Sequence, residues 1–227
     1  MPLHIAADSI HVELLGCFRV RDGEREVTEG DWPARRAQEL VALLALTEGR
    51  RLVRDRVLEH LWPHLDARAG AANLRKAAHH ARRVLGDPDA VVLRSGTVEL
   101  FPGRRVMTDV EAFLAAAAAA LGGGDPATCE RVAAMCTGEL LPGSPYESWT
   151  QDARRAVHAR RVELLRQAGD LERLLEAEPT DEVACRALMR LAIEGGQRHV
   201  AIGWYERLRL ALARELGVQP DAETRAL

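Results

Sequence analysis

Lysine is almost absent from this chain: Lys76 stands alone against 30 arginines in 227 residues. Long apolar runs are missing too. No stretch of 18 or more apolar residues occurs, so no segment reads as a membrane span. The alanine run at 115–120 is too short, and alanine is too weakly apolar. The opening, MPLHIAADSIHVELLG, has neither a basic start nor an apolar stretch, so no signal peptide is expected. The four cysteines, Cys17, Cys129, Cys136 and Cys185, form no CxxC and no zinc-finger spacing. They read as reduced, small buried residues of a cytoplasmic protein. No GxSxG, Walker A or HExxH pattern is present, so neither catalysis nor a cofactor is expected.

What the chain does have is an uneven charge. The net charge of −3 argues against a polyanionic partner at first sight. Residues 1–106, however, hold 17 basic and 15 acidic residues, and the remainder hold 14 and 19. The excess of cations is therefore N-terminal. Arginine presents a planar fork of donors suited to bidentate phosphate and guanine contacts.

The N-terminal part reads as sheet, three helices, hairpin. HVELLG, FRVRDG and EREVTEG are short and strand-like, with a turn signal at Asp22-Gly23. Pro33 can open a first helix through ARRAQELVALLALTEG, which Gly49 ends. A second helix, RDRVLEHLW (54–62), stops at Pro63, and a third runs from near Ala67 to Gly86. VVL and TVEL then flank Arg94-Ser95-Gly96 as a β-hairpin with a basic tip. From about Thr108 the chain reads as helices: 108–121, 126–137, 146–168, 170–177, 180–194 and 197–216. In GGGDPA, Asp125 is expected to cap a helix and Pro126 to occupy its first turn. The segment PTDEVACRALMRLAIEGGQRHVAIGWYERLRLALARELGVQP is helix, Gly-Gly turn, helix, proline. It resembles a tetratricopeptide-type hairpin. Trp204-Tyr205 reads as hairpin core.

The third helix carries the chemistry. At about 100° per residue, Leu74, Ala78, Ala81 and Leu85 fall on one apolar stripe. Lys76 and Arg83 lie near the opposite pole, with His79 and His80 on either side. Asn73 is at the margin, and Arg75 and Arg82 flank the stripe. No acid occurs between Asp66 and Asp87. A solvated helix face usually mixes charges, whereas this one repels itself unless a phosphate-rich partner offsets it. Helix, helix, basic helix and basic hairpin is the order of a winged helix-turn-helix. His60, His64 and Asp66 could be read as metal ligands, but Pro63 interrupts the spacing and no third-ligand pattern follows.

The block LLGCFRV…WPARRAQELVALLAL…RDRVLEHLWPHLD…AANLRKAAHHARRVLG…VVLRSGTVEL resembles the DNA-binding domain of the Streptomyces antibiotic regulatory protein family, an OmpR-like winged helix-turn-helix. The remainder, closing with YERLRLALARELGVQPDAETRAL, resembles the bacterial transcriptional activation domain that accompanies it. The implied fold is mainly α with small β-sheets. A winged helix-turn-helix domain at 1–106 is followed by an all-α tetratricopeptide-like domain at 107–227. The resemblance implies an activator that binds double-stranded DNA at promoter direct repeats as a homodimer and contacts RNA polymerase. It places Lys76 and His80 toward base edges with Asn73 nearby. His79, Arg82 and Arg83 fall at the margin, Arg75 beside them, and Arg94 at the wing tip. The loop Trp62-Pro63-His64-Leu65-Asp66 matches one that touches polymerase in related winged helices, with Trp62 equally readable as core. The family often has leucine at Ala78 and Ala81, so the helix is expected to sit nearer the core here. Two other readings stay open: a protein-interaction module, and the N-terminal fragment of a larger regulator with an ATPase.

Overall fold

The structure, a computed structural model, describes residues 9–227. The first half of the stretch inspected for a signal peptide, residues 1–8, lies outside the described residues. The chain is mainly α with small sheets, and it divides into two compact units. One is Met1–Leu114 with Cys136–Val157; the other is Ala115–Met135 with His158–Leu227.

In the first unit, β1 (Ser9–Glu13), β2 (Arg19–Asp22) and β3 (Arg25–Thr28) form the expected antiparallel run. The β2–β3 hairpin closes over Gly23, whose φ of 57° suits the first position of a tight hairpin turn. Sequence reading missed a fourth strand, β7 (Arg105–Thr108), which pairs with β1 in parallel. The sheet order is therefore β3-β2-β1-β7. The expected boundary at 106/107 falls inside β7. Just after that strand, the half-buried Asp109 carboxylate accepts the backbone N–H groups of Leu14 and Leu15 at 2.9 Å. Burial pushes the Asp109 carboxyl above its usual value, and the backbone donors oppose that rise.

Three helices follow: α1 (Arg35–Leu46), α2 (Arg54–Leu61) and α3 (Ala67–Leu85). Pro33 precedes α1 rather than opening it, because Ala34 is the N-cap. Asp66 caps α3 by accepting the N–H of Ala69 at 2.8 Å. Gly86 ends it in the left-handed conformation, φ 72°. Arg25 reaches over that end and donates to the Val84 carbonyl at 2.7 Å, leaving no room for a Cβ on Gly86. Leu74, Ala78, Ala81 and Leu85 are 1%, 0%, 0% and 4% exposed, so the stripe lies in the core and α3 packs closely on α1.

The hairpin is β5 (Val91–Arg94) and β6 (Thr97–Leu100), closing over Ser95 and Gly96, both with positive φ. A third strand joins it: β4 (Arg51–Val53), between α1 and α2, pairs with β6. Sequence reading missed it as well. Segment 136–157 folds back into this unit. Gly16 donates to Glu139 O and Leu141 to Leu14 O, each at 2.8 Å. Gly16 and Gly138 cross so closely that a Cβ on Gly138 would lie 2.7 Å from Gly16 Cα.

The helices that follow are α4 (Asp109–Gly123), α5 (Pro126–Ala133), α6 (Gln151–Ala168), α7 (Leu171–Ala177), α8 (Glu182–Glu194), α9 (Arg198–Glu215) and α10 (Ala222–Arg225). Asp125 caps α5 with Pro126 in its first turn, as expected. In the second unit, α8 and α9 form the tetratricopeptide-like hairpin, with Ala192, Ala201 and Leu208 buried between them. Trp204 and Tyr205 are half-buried rather than core, and the Arg207 guanidinium lies 4.8 Å over the Trp204 ring. At the far end, Arg186 donates to Asp221 at 2.7 Å and to Thr224 at 2.9 Å, holding α10 against α8. No disulfide joins any of the four cysteines; burial pushes the Cys185 thiol up to about 11. No helix among the described residues is long and apolar enough to cross a membrane.

Candidate nucleic-acid interface

With its apolar stripe committed to the core, α3 turns several of its polar side chains outward. Asn73, Arg75, Lys76, His79 and Arg83 are exposed. Arg94 is exposed at the tip of the β5–β6 hairpin. These residues share one unit and stand on adjoining elements, α3 and the hairpin.

Two of the expected residues are placed differently. Arg82 is half-buried, and its Nε donates to the Val91 carbonyl at 2.7 Å. It ties α3 to β5, which is a structural duty and not a free contact. His80 is half-buried as well, and its Nδ1 is enclosed with no partner among the described residues. His80 lines a cavity of about 230 Å³ with Asn73, Lys76, Trp62 and Arg36. The ring therefore sits at the edge of the outward face rather than on it. The His79 ring meets it edge-on, with centroids 5.9 Å apart.

The loop after α2 is also partly internal. Trp62 is 6% exposed and belongs to the core. His64 and Asp66 are exposed, but Asp66 is occupied as the N-cap of α3.

The electrostatics set this face apart. Several arginines elsewhere in the first unit have acidic partners, although Arg25 and Arg105 of the sheet enter no ion pair among the described residues. Arg19 and Arg21 pair with Glu13, Arg35 and Arg36 with the buried Glu39, Arg50 with Glu111, and Arg56 with Glu59. Arg104 holds Asp22 through two bonds of 2.7 and 2.6 Å, which keep the Asp22 carboxyl below its usual value. By contrast, Arg54, Arg68, Arg75, Lys76, Arg83 and Arg94 enter no ion pair among the described residues. Arg54 and Arg68 were not singled out from sequence. Arg68 lies in the same acid-free stretch and could have been found there, whereas Arg54 has no local signal.

A winged helix-turn-helix followed by a tetratricopeptide-like helical domain is the class of molecule this fold defines. The profile of the bacterial transcriptional activator domain matches residues 108–227. The chain belongs to that family, with the winged helix in front of it in the arrangement of the Streptomyces antibiotic regulatory proteins. It is 27% identical over 237 residues to the regulatory protein AfsR of Streptomyces griseus, covering 96% of this chain and 24% of that protein. It is 31% identical over 229 residues to AfsR of Streptomyces coelicolor, covering 91% and 22%. The chain thus spans less than a quarter of the length of these relatives. Among solved structures, Mycobacterium tuberculosis EmbR in complex with a low-affinity phosphopeptide is similar with a TM-score of 0.63 and 19% identity. That match covers 96% of this chain and 63% of EmbR and is a likeness of fold.

Proposed function

We propose that the chain is a sequence-specific DNA-binding transcriptional regulator, an activator that works by binding and not by catalysis. The observation that carries this reading is the partition of its cations. Arg19 and Arg21 of the sheet and Arg35 and Arg36 of α1 are paired with acids, whereas Arg75, Lys76 and Arg83 on the outer face of α3 and Arg94 at the hairpin tip enter no ion pair among the described residues. A protein gains nothing from leaving like charges together unless a polyanion offsets their repulsion. In this reading α3 enters the major groove, Asn73 and Lys76 face base edges, and His79, Arg75 and Arg83 reach phosphates or marginal bases. Arg94 at the wing reaches the backbone or the minor groove. His80 contributes from the edge of the face, and Arg82 acts by holding the wing in place.

The functional division falls near 106/107: a DNA-binding part at 1–106 and an activation domain at 107–227. The working form is two protomers on a direct repeat. The helical domain makes the protomer and polymerase contacts, together with His64 in the loop after α2. Exposed apolar side chains on α8 and α9, among them Leu191, Ile202 and Leu210, support such contacts. The expected compartment is the cytoplasm.

The test is selection of bound duplexes from a random-sequence library by the purified chain. The expected result is enrichment of a direct repeat of short half-sites. A pool that stays random after several rounds contradicts sequence-specific binding.

A further inference from the structure

The α8–α9 hairpin carries an apolar hollow of about 220 Å³, which α10 helps to wall. Arg186 holds α10 in place through Asp221 and Thr224, so the hollow is formed before anything enters it. On α9, Arg198, Ile202 and Tyr205 line it at spacings of four and three, which is one face of a helix. Ile193 lines it from the last turn of α8, and Leu227 from beyond α10. Ile193, Ile202 and Leu227 are 40%, 62% and 41% exposed. Three large apolar side chains that meet at one hollow and stay open to water mark a contact surface.

The rim of the hollow is basic. Arg198 and Arg225 line it, and neither enters an ion pair among the described residues. Arg198 stands in the first turn of α9, where the helix dipole is already positive and a cation is unfavourable. Aspartates cap α5, α7, α8 and α10, whereas α9 begins after Gln197 with no side-chain cap and no acid in its first turn. No acidic side chain lines the hollow. An acidic partner would relieve this concentration of positive charge. Such a partner is better helical than extended. An extended peptide needs free main-chain groups to pair with, and the walls here are helices that use theirs internally.

We propose that this hollow docks an acidic amphipathic helix of a partner protein. Its apolar face lies against Ile193, Ile202 and Tyr205, and its carboxylates lie beside Arg198 and Arg225. The proposal rests on the reading that the helical domain contacts other proteins, and gives that contact a place and a chemistry.

The test presents the full chain to a displayed library of random peptides about four helical turns long. Enrichment is expected for peptides with apolar residues at i, i+3 or i+4 and i+7 and with acids between them. One enriched peptide is then synthesised and titrated by calorimetry. Ile202→Ser and Arg198→Glu should each weaken it by about tenfold or more, and Arg198→Lys should keep it. Ile202 and Arg198 are exposed, so the variants should fold. Arg198→Glu puts an acid at the start of α9 and should raise the thermal midpoint, which separates its loss of binding from unfolding. Enriched peptides that bind both weakened variants as tightly as the parent place the contact elsewhere; they overturn the hollow and leave the protein-contact reading standing. Enriched peptides without acids overturn the proposal as well. A library that stays random after several rounds overturns both the hollow and that reading. Sedimentation of the parent as a dimer that Ile202→Ser dissociates would assign the hollow to a second copy of the chain and overturn the partner helix.

Discussion

Arg82 on the last turn of α3 donates its Nε to the carbonyl of Val91 on β5 at 2.7 Å, so the helix and the wing are fixed to each other by one side chain. Arg83, its neighbour, is exposed and enters no ion pair among the described residues. The two arginines are therefore expected to separate by experiment. Arg82→Ala should cost about 1 kcal/mol of stability, the scale of a partly exposed hydrogen bond from a charged donor. Arg83→Ala should leave the urea midpoint in place and lower the salt slope of duplex binding. Equal midpoints for both variants would remove Arg82 from its structural role.

The Asp22–Arg104 pair predicts a pH dependence. Hydrogen bonds from Arg104 hold the Asp22 carboxyl below its usual value, against the opposing effect of burial. A depressed folded value means the pair contributes stability above the unfolded pKa of about 3.9 and loses it as pH falls through the lower, folded value. Asp22→Asn should be less stable than the parent at neutral pH, with the gap closing below about pH 4. A gap that stays constant from pH 7 to pH 3 would assign the loss to packing.

Ala78 and Ala81 stand where the family often has larger side chains. Leucine is frequent there, yet both alanines are fully enclosed because α3 lies close to α1. Ala78→Leu is therefore expected to overpack the interface and destabilise by about 1–3 kcal/mol in chemical denaturation. A stabilised variant would mean that the closer packing leaves room for the longer side chain.

Much of this architecture was legible in local periodicity. The stripe of α3, its end at Gly86, the basic hairpin, and the Gly-Gly joint between α8 and α9 all follow from spacing over a few turns. What was not legible depends on distant pairing. β4 is three residues between two helices, and it is a strand only because β6 lies beside it. β7 pairs with β1 across nearly the whole winged-helix domain, and Asp109 is explained only by the N–H groups of Leu14 and Leu15. The same holds at the interface. Exposure of Lys76 and Arg83 could be read from a helical wheel. The cavity that His80 shares with Trp62 and the capture of Arg82 by a β5 carbonyl could not. Their partners lie on other elements.

Lys76 is the most direct probe of the central claim, that the outer face of α3 selects a DNA sequence. Its side chain is exposed on that face, so its truncation should leave the fold intact. The decisive measurement compares Lys76→Ala with the parent chain on a selected duplex and on a scrambled one at the same salt concentration. A base-reading Lys76 predicts a loss of about 1–3 kcal/mol on the selected duplex and a much smaller loss on the scrambled one. Equal losses on both would mean that Lys76 contacts only the backbone, and would contradict sequence selection by this face.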